Sequence, residues 1–273
     1  MKRWRLLETG EGDCRLNMAV DEALFQAYDS AVSLPVLRIY GWNPPALSIG
    51  LFQNPLEELD LVECRRRNID FVRRMSGGGI IFHDKELTYS IVCSESDIQK
   101  ACFAKEIYKY LCVFLIEAYR AMGLAAGFSL SSNKAPRSGW VCFQGREKYD
   151  IVIGGKKIGG NAQRRRRGLI FQHGSIPLYT RPGWLAGLLR GRLPDDCGSP
   201  YSLSQAAGRD ITSEELKGYL IESFQKSFSA RLIRDTLNPA EDGLRGQLLT
   251  RKYETDRWNL HADSNPDKAF VAQ

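Results

Sequence analysis

The chain has no CxxC pair and no cysteine spacing of the kind that holds zinc, although it carries seven cysteines, Cys14, Cys64, Cys93, Cys102, Cys112, Cys142 and Cys197. An odd, scattered set with no secretion signal argues against a disulfide framework. Most of these thiols read as small buried hydrophobes, Cys112 on an apolar helix face being the clearest. Long hydrophobic runs are absent too: the longest, Leu111 to Ile116, ends at Glu117 and is far too short to span a bilayer. No apolar signal region follows Met1-Lys2-Arg3-Trp4-Arg5, so the cytoplasm is the expected location and no membrane partner is expected. There is no internal repeat, no low-complexity segment, no basic tail and no nucleic-acid motif. The net charge of +6, from 38 basic and 32 acidic residues, is a mild excess that suits an acidic protein partner and makes nucleic acid unlikely.

What is present describes a globular chain. At 273 residues, 43% hydrophobic and 26% charged, it can bury a substantial core. Residues 1–255 are expected to form one domain, helical from about residue 180, with 256–273 as a tail. Leu16, Ala19, Ala23 and Ala27 fall at helical spacing and predict a helix over Asp13 to Tyr28. Strand-like runs follow at Val36 to Tyr40 and Ala46 to Gly50, split by Asn43-Pro44-Pro45, and a helix is predicted over Leu56 to Arg67 behind Pro55. Asp70 to Arg73, Gly79 to Phe82 and Leu87 to Val92 read as strands, and Ala101 to Met122 as a long apolar-faced helix closed by Gly123.

A second β-rich stretch runs from Trp140 to Leu178, with Tyr149 to Ile153 turning at Gly154-Gly155 into Lys157 to Gln163, then Leu169 to His173. Further helices are predicted after Pro182 (carrying Trp184, Leu185, Leu188 and Leu189), after the capping pair Thr212 and Glu215, and over Pro239 to Tyr253. Strands and helices are mixed without strict alternation. The expected class is therefore α+β, with mixed, mostly antiparallel sheets flanked by helices.

Two clusters carry chemistry. In Arg73-Arg74-Met75-Ser76-Gly77-Gly78-Gly79-Ile80-Ile81-Phe82-His83-Asp84, consecutive glycines let backbone N–H groups approach a ligand, and the arginines could neutralise a phosphate or carboxylate. The same residues could equally form a tight strand connection with solvated arginines. The loop is no P-loop, because no Gly-Lys-Ser/Thr follows. In Lys156-Lys157-Ile158-Gly159-Gly160-Asn161-Ala162-Gln163, a strand lysine beside glycines can set a point charge against a bound carbonyl or phosphate oxygen; taken alone it is more simply a hairpin lysine facing water. Downstream, Phe171-Gln172-His173-Gly174-Ser175-Ile176 reads as a strand into a turn, with His173 either structural or functional.

In this combination and order, the segments resemble the lipoate–protein ligase and octanoyltransferase superfamily, relatives of biotin protein ligase. Asn17-Met18-Ala19-Val20-Asp21-Glu22-Ala23, Tyr40-Gly41-Trp42 and Leu47-Ser48-Ile49-Gly50 add to the likeness, which is firm from about residue 4 to 180 and weaker to Tyr253 and Trp258-Asn259-Leu260. The resemblance implies that superfamily's catalytic fold, an acyl tunnel beside the glycine loop, and Lys157 as the active-site lysine. It implies a substrate site drawn from Arg73, Arg74, Ser76, Gly77, Gly78, Gly79, His83, Asp84, Gly159, Gly160, Asn161, Ala162, His173 and Gly174.

Members of the superfamily differ in how the acyl group is activated. Cys142, in Pro136-Arg137-Ser138-Gly139-Trp140-Val141-Cys142-Phe143, is placed like the nucleophile of the cysteine-dependent octanoyltransferases. These move octanoyl from acyl carrier protein through an acyl-enzyme to the lysine of a lipoyl-domain protein, such as a glycine-cleavage carrier or a dehydrogenase subunit. A thiol suits that task, since thioester exchange needs little driving force, and Lys157 could stabilise both thiolate and oxyanion. The alternative is a lipoate–protein ligase working through lipoyl-adenylate with ATP and Mg; the all-glycine loop is closer to that form, and the transferase would need no cofactor. No metal site is expected. Cys142 could also be an inert buried thiol, and His83 is a candidate for taking the amine proton. Arg164, Arg165, Arg166 and Arg167 should sit exposed at a hairpin tip, either solvated or docking an acidic carrier or lipoyl domain. A remote third reading is a non-catalytic acyl- or nucleic-acid-binding regulator.

Overall fold

The computed structural model describes residues 1–98, 104–129, 149–181, 183, 185, 187–190 and 201–263. In chain order the described elements are β1 (Lys2–Gly12), α1 (Cys14–Ala27), β2 (Val36–Trp42), β3 (Ala46–Ile49), α2 (Pro55–Glu58), α3 (Leu61–Arg66), β4 (Asp70–Arg73), β5 (Ile81–His83) and β6 (Glu86–Ser94). Then follow α4 (Ala104–Ala121), β7 (Ala126–Phe128), β8 (Ile151–Ile153), β9 (Lys156–Lys157), β10 (Gly160–Arg166), β11 (Leu169–Pro177), α5 (Leu203–Ala207), α6 (Ser213–Phe228), β12 (Ala230–Arg234), α7 (Pro239–Leu248) and α8 (Asp256–His261).

A six-stranded sheet in the order β10-β11-β6-β2-β1-β12 forms the centre, with three-stranded sheets β4-β3-β5 and β7-β8-β9 beside it. β1 runs parallel to β2 and β12, and β3 parallel to β4; the other pairings are antiparallel. This is the expected α+β class.

Both faces of the central sheet are covered, so neighbouring strand residues enter different cores. Leu6, Leu37 and Ile91 pack with Leu111, Phe114 and Leu115 of α4 and with Leu216, Leu220 and Phe224 of α6. Their neighbours Leu7, Val36 and Val92 pack with Val20, Leu24 and Phe25 of α1. Trp4 meets Phe224 edge-on, with ring centroids 5.0 Å apart. α1 starts where Asp13 Oδ1 accepts the Arg15 N–H at 2.8 Å, as an N-cap should. It is fastened to β2 through Arg38, whose guanidinium donates to Asp21 Oδ1 (2.7 Å), Asn17 Oδ1 (2.9 Å) and the Asn17 carbonyl (3.0 Å). A buried arginine–carboxylate pair of this kind is tolerable because nearly all its polar atoms find partners.

Several elements differ from expectation. The helix expected over Leu56 to Arg67 is two helices, because Leu59 turns inward to bridge Leu189 and Asp60 caps α3. The strand expected over Lys157 to Gln163 is broken at Ile158-Gly159, so β9 joins one sheet and β10 another. Among the described residues after Pro182 no helix is present: residues 183, 185, 187 and 188 lie in turns and Leu189 is in the bridge, while Pro182 and Trp184 lie outside the described residues. Thr212 caps α6 as expected by accepting the Glu215 N–H at 3.1 Å, but the Glu215 carboxylate turns to Arg209 rather than completing the box. The last expected helix is α7 continued as a π-helical turn, Leu249–Tyr253. The C-terminal portion also contains β12, and the stretch from residue 256 begins with α8, whose Trp258 and Asn259 are buried. No helix among the described residues is long and apolar enough to cross a membrane.

Candidate active site

The β10–β11 hairpin pairs Gly160 with Ser175, Asn161 with Gly174 and Ala162 with His173, which sets two of the motifs read from the sequence side by side. β11 in turn pairs His173 with Ser90, Gly174 with Tyr89 and Ser175 with Thr88. Facing this wall is the glycine loop, carried between β4 and β5. A cleft between them is lined by Trp42, Arg74, Gly78, Ile81, His83, Thr88, Gly160, Asn161, Ala162, His173, Gly174 and Ser175. The closeness of its walls depends on missing side chains. A Cβ on Gly50 would lie 1.9 Å from the Gly78 carbonyl oxygen, and one on Gly159, at φ +68°, would lie 2.3 Å from that of Ser175.

Two serine–histidine–carboxylate sets brace the cleft. His173 Nε2 lies 2.6 Å from Ser76 Oγ, and its Nδ1 lies 4.0 Å from Asp21 Oδ2. His83 Nε2 lies 2.6 Å from Ser48 Oγ, and its Nδ1 lies 3.5 Å from Glu86 Oε1. The Trp42 ring stacks on His83 at 3.7 Å and donates its own N–H to Thr88 Oγ1 at 2.9 Å. Burial lowers the pKa of both imidazoles, aided for each by the Arg74 charge and for His173 also by His83, so both are neutral at pH 7. A neutral His83 that accepts the Ser48 O–H at Nε2 carries its proton on Nδ1, toward Glu86. This tautomer also leaves Ser48 Oγ free to accept from Arg74 Nη1, which it does at 2.7 Å.

The two adjacent arginines part company. Arg74 reaches the Ser48 carbonyl (2.7 Å), the Gly79 carbonyl (2.8 Å) and the Gly77 carbonyl (3.2 Å), so it shapes the glycine loop and lines the cleft. Arg73, expected to offer charge to a bound anion, is instead a main-chain clamp. Its guanidinium donates to the carbonyls of Gly50, Leu51 and Gln53 on one side, and of Trp258, Asn259 and Leu260 on the other. Trp258 returns its indole N–H to the Arg73 carbonyl at 2.9 Å.

The other expected residues fall as follows. Ser76 is buried beneath the loop on His173, Gly77 and Gly79 carry the carbonyls that Arg74 holds, and Gly78 faces the cleft. Asp84 pairs with Arg181 at 3.1 Å and is not among the lining residues. Lys157 lies on β9, separated from Gly160 by Ile158 and Gly159, and pairs with Asp150 Oδ2 at 2.8 Å. Arg164 ties the hairpin to the glycine loop through the Met75 carbonyl (2.7 Å), Arg165 pairs with Glu95, and Arg166 and Arg167 are exposed at the tip. Cys142 lies outside the described residues. Glu86, Thr88, Tyr89 and Asp150 were not singled out from the sequence. Thr88 and Tyr89 are brought there by the pairing of β6 with β11, Glu86 lies three residues from His83, and Asp150, just before β8, reaches the site through Lys157.

Residues 13–225 match the model of the lipoyl protein ligase A/B catalytic domain. The chain belongs to that family. It is 35% identical to the octanoyltransferase LipM of Halalkalibacterium halodurans, over 95% of this chain and 99% of the relative. It is 38% identical to the octanoyltransferase LipM of Kyrpidia tusciae, again over 95% and 99%. Among solved structures, a lipoate-protein ligase A bound with ATP superposes with a TM-score of 0.80 at 27% identity, covering 95% of this chain and 98% of that one. The family's fold is therefore present essentially end to end, and the cleft is where its sequence motifs converge.

Proposed function

We propose that this chain is an octanoyltransferase that moves octanoyl from a thioester on acyl carrier protein to a lysine of a lipoyl-domain protein, a step of protein lipoylation. The reading is carried by near full-length identity to relatives named octanoyltransferase, at 35% and 38%. The donor is already activated, so the reaction needs neither ATP nor metal. In this reading Cys142 takes the octanoyl group as a thioester, and the acceptor's neutral amine then displaces it, forming the amide. Lys157, oriented by Asp150, supplies positive charge for the thiolate and for the oxygen of the tetrahedral intermediate. The neutral histidines keep the glycine loop and the cleft wall in shape. Arg165, Arg166 and Arg167, near the hairpin tip, attract an acidic partner, an effect that weakens with salt.

The test is incubation with octanoyl-carrier protein and no ATP. A hydroxylamine-labile octanoyl adduct on Cys142, absent from Cys142→Ala, is expected. A Cys142→Ala protein that still modifies a lipoyl domain from lipoate, ATP and Mg would establish the ligase reading instead. That second reading has one specific observation in its favour, the structural likeness to the ATP-bound ligase.

A further inference from the structure

Among the polar groups of the cleft, Asn161 is held by a chain of hydrogen bonds that runs in one direction. Gln163 Nε2 donates to Gln172 Oε1 at 3.0 Å. Gln172 Nε2 donates to the Tyr89 hydroxyl at 3.2 Å and also to Cys112 Sγ at 3.4 Å. The Tyr89 hydroxyl, having accepted, donates to Asn161 Oδ1 at 2.8 Å. Tyr89 and Gln172 are both fully buried, so this chain is shielded from competition by water. The carboxamide also lies close over Gly174: a Cβ there would come within 2.1 Å of Asn161 Oδ1 and 2.6 Å of the Tyr89 ring. With Oδ1 committed to Tyr89, what Asn161 has left to offer the cleft it lines is the pair of N–H groups on Nδ2.

We infer that the Asn161 amide is a catalytic hydrogen-bond donor to the acyl carbonyl oxygen, and that Tyr89 and Gln172 are positioning residues that aim it. The inference rests on the acyl-transfer reading above. When the acceptor amine adds to the thioester carbon, a C–N bond forms and the carbonyl π pair moves onto oxygen. Collapse restores C=O, breaks the C–S bond, and the departing thiolate takes up the proton lost by the amine. Negative charge on oxygen is greatest between these events. A donor pinned in place beforehand strengthens toward that charge without reorganising, so it favours the transition state over the bound substrate.

The experiment measures kcat and KM for transfer to a lipoyl domain, from octanoyl-carrier protein and separately from lipoate plus ATP, using whichever donor the wild-type chain accepts. Asn161→Asp keeps the shape but has no N–H; kcat should fall at least ~100-fold with KM changed less than about threefold. Tyr89→Phe, which removes one buried oxygen and leaves Gln172 bonded to Cys112, should lower kcat about three- to tenfold with the melting temperature little moved. Asn161→Ser, which keeps a short donor, should retain more kcat than Asn161→Ala. Adding Tyr89→Phe to Asn161→Ala should cost nothing further, because Tyr89 acts through Asn161. An Asp variant as active as the wild type, or a Tyr89→Phe loss that multiplies fully with that of Asn161→Ala, would overturn the assignment. Transfer from lipoate and ATP alone would overturn the octanoyltransferase reading while leaving Asn161 open to the same variants. A wild-type chain that uses neither donor overturns both.

Discussion

Arg73 and Arg74 are consecutive and both buried, yet they serve two different regions of the molecule. Arg73 ends β4, and alternation along the strand turns it away from the cleft, toward the segment around α8 and the Gly50–Gln53 turn. Arg74 turns the other way, under the glycine loop. The first region is an anchor whose acceptors are main-chain carbonyls and which burial leaves with a lowered arginine pKa. The second is a working surface, where the same side-chain type contacts a serine and two glycine carbonyls and sets its charge near two neutral histidines. Two identical residues in sequence thus acquire opposite duties from a half-turn of the backbone.

The largest expected effect is on the anchor. Arg73→Ala strips donors from carbonyls at both ends of the clamp and should cost on the order of 3–5 kcal/mol, read as the shift in urea midpoint. Arg73→Lys should recover little, since an ammonium has only three donors and no fork. If Arg73→Ala left stability within about 1 kcal/mol, the anchor assignment would fail.

Next comes Arg74→Lys, which cannot bridge Ser48 and the glycine carbonyls together. Transfer should drop about tenfold or more while stability falls by only about 1–2 kcal/mol, reversing the pattern of Arg73. A smaller effect separates the two arginines by pH. Both histidines have folded-state pKa values below the unfolded value of about 6.5, so the unfolded chain binds more protons in that window. Stability should hold above about pH 6.5 and fall as pH drops below it, a slope that denaturation between pH 5 and about 7.5 would record. Arg74→Met removes a charge that helps keep both imidazoles neutral and should flatten that slope, whereas substitutions at Arg73 should leave its shape unchanged. The smallest effect belongs to the hairpin tip. Arg166→Gln should change stability by less than about 0.5 kcal/mol while slowing encounter with an acidic partner at low salt.

How much of this was legible depended on local signals. α1 announced itself through Asp13 and its apolar spacing, and α4 through Ile107, Leu111, Phe114, Leu115 and Ala118, all buried. β1 went unread because Trp4, Arg5, Leu6 and Leu7 are buried in succession. A strand covered on both faces shows no alternation, and a charged residue within it disguises it further. That Arg5 is compensated by Glu241 of α7, far along the chain, which no window of sequence reveals. In the site, the glycine loop, His83, His173 and Asn161 were marked by motif. Arg73 and Arg74 look alike in sequence, and only alternation at the end of β4 sends Arg73 away from the cleft. Asp21, Ser48 and Tyr89 acquire their roles only through contacts between elements distant in sequence, and Glu86 joins a local contact with His83 to a distant one with Ser175.

The pairing of β1 with β12 has a consequence for how the molecule is made. Lys2 lies opposite Ala230 and Leu6 opposite Arg234, so β1 gains its outer neighbour only when β12, far along the chain, has been synthesised. Until then that side of β1 is an open edge able to pair with another nascent chain. A separation of this length also slows folding, because much loop entropy is lost before the contact forms. Translation arrested before residue 230 should therefore yield a protease-sensitive chain, with resistance arising late and in a single step as β12 docks.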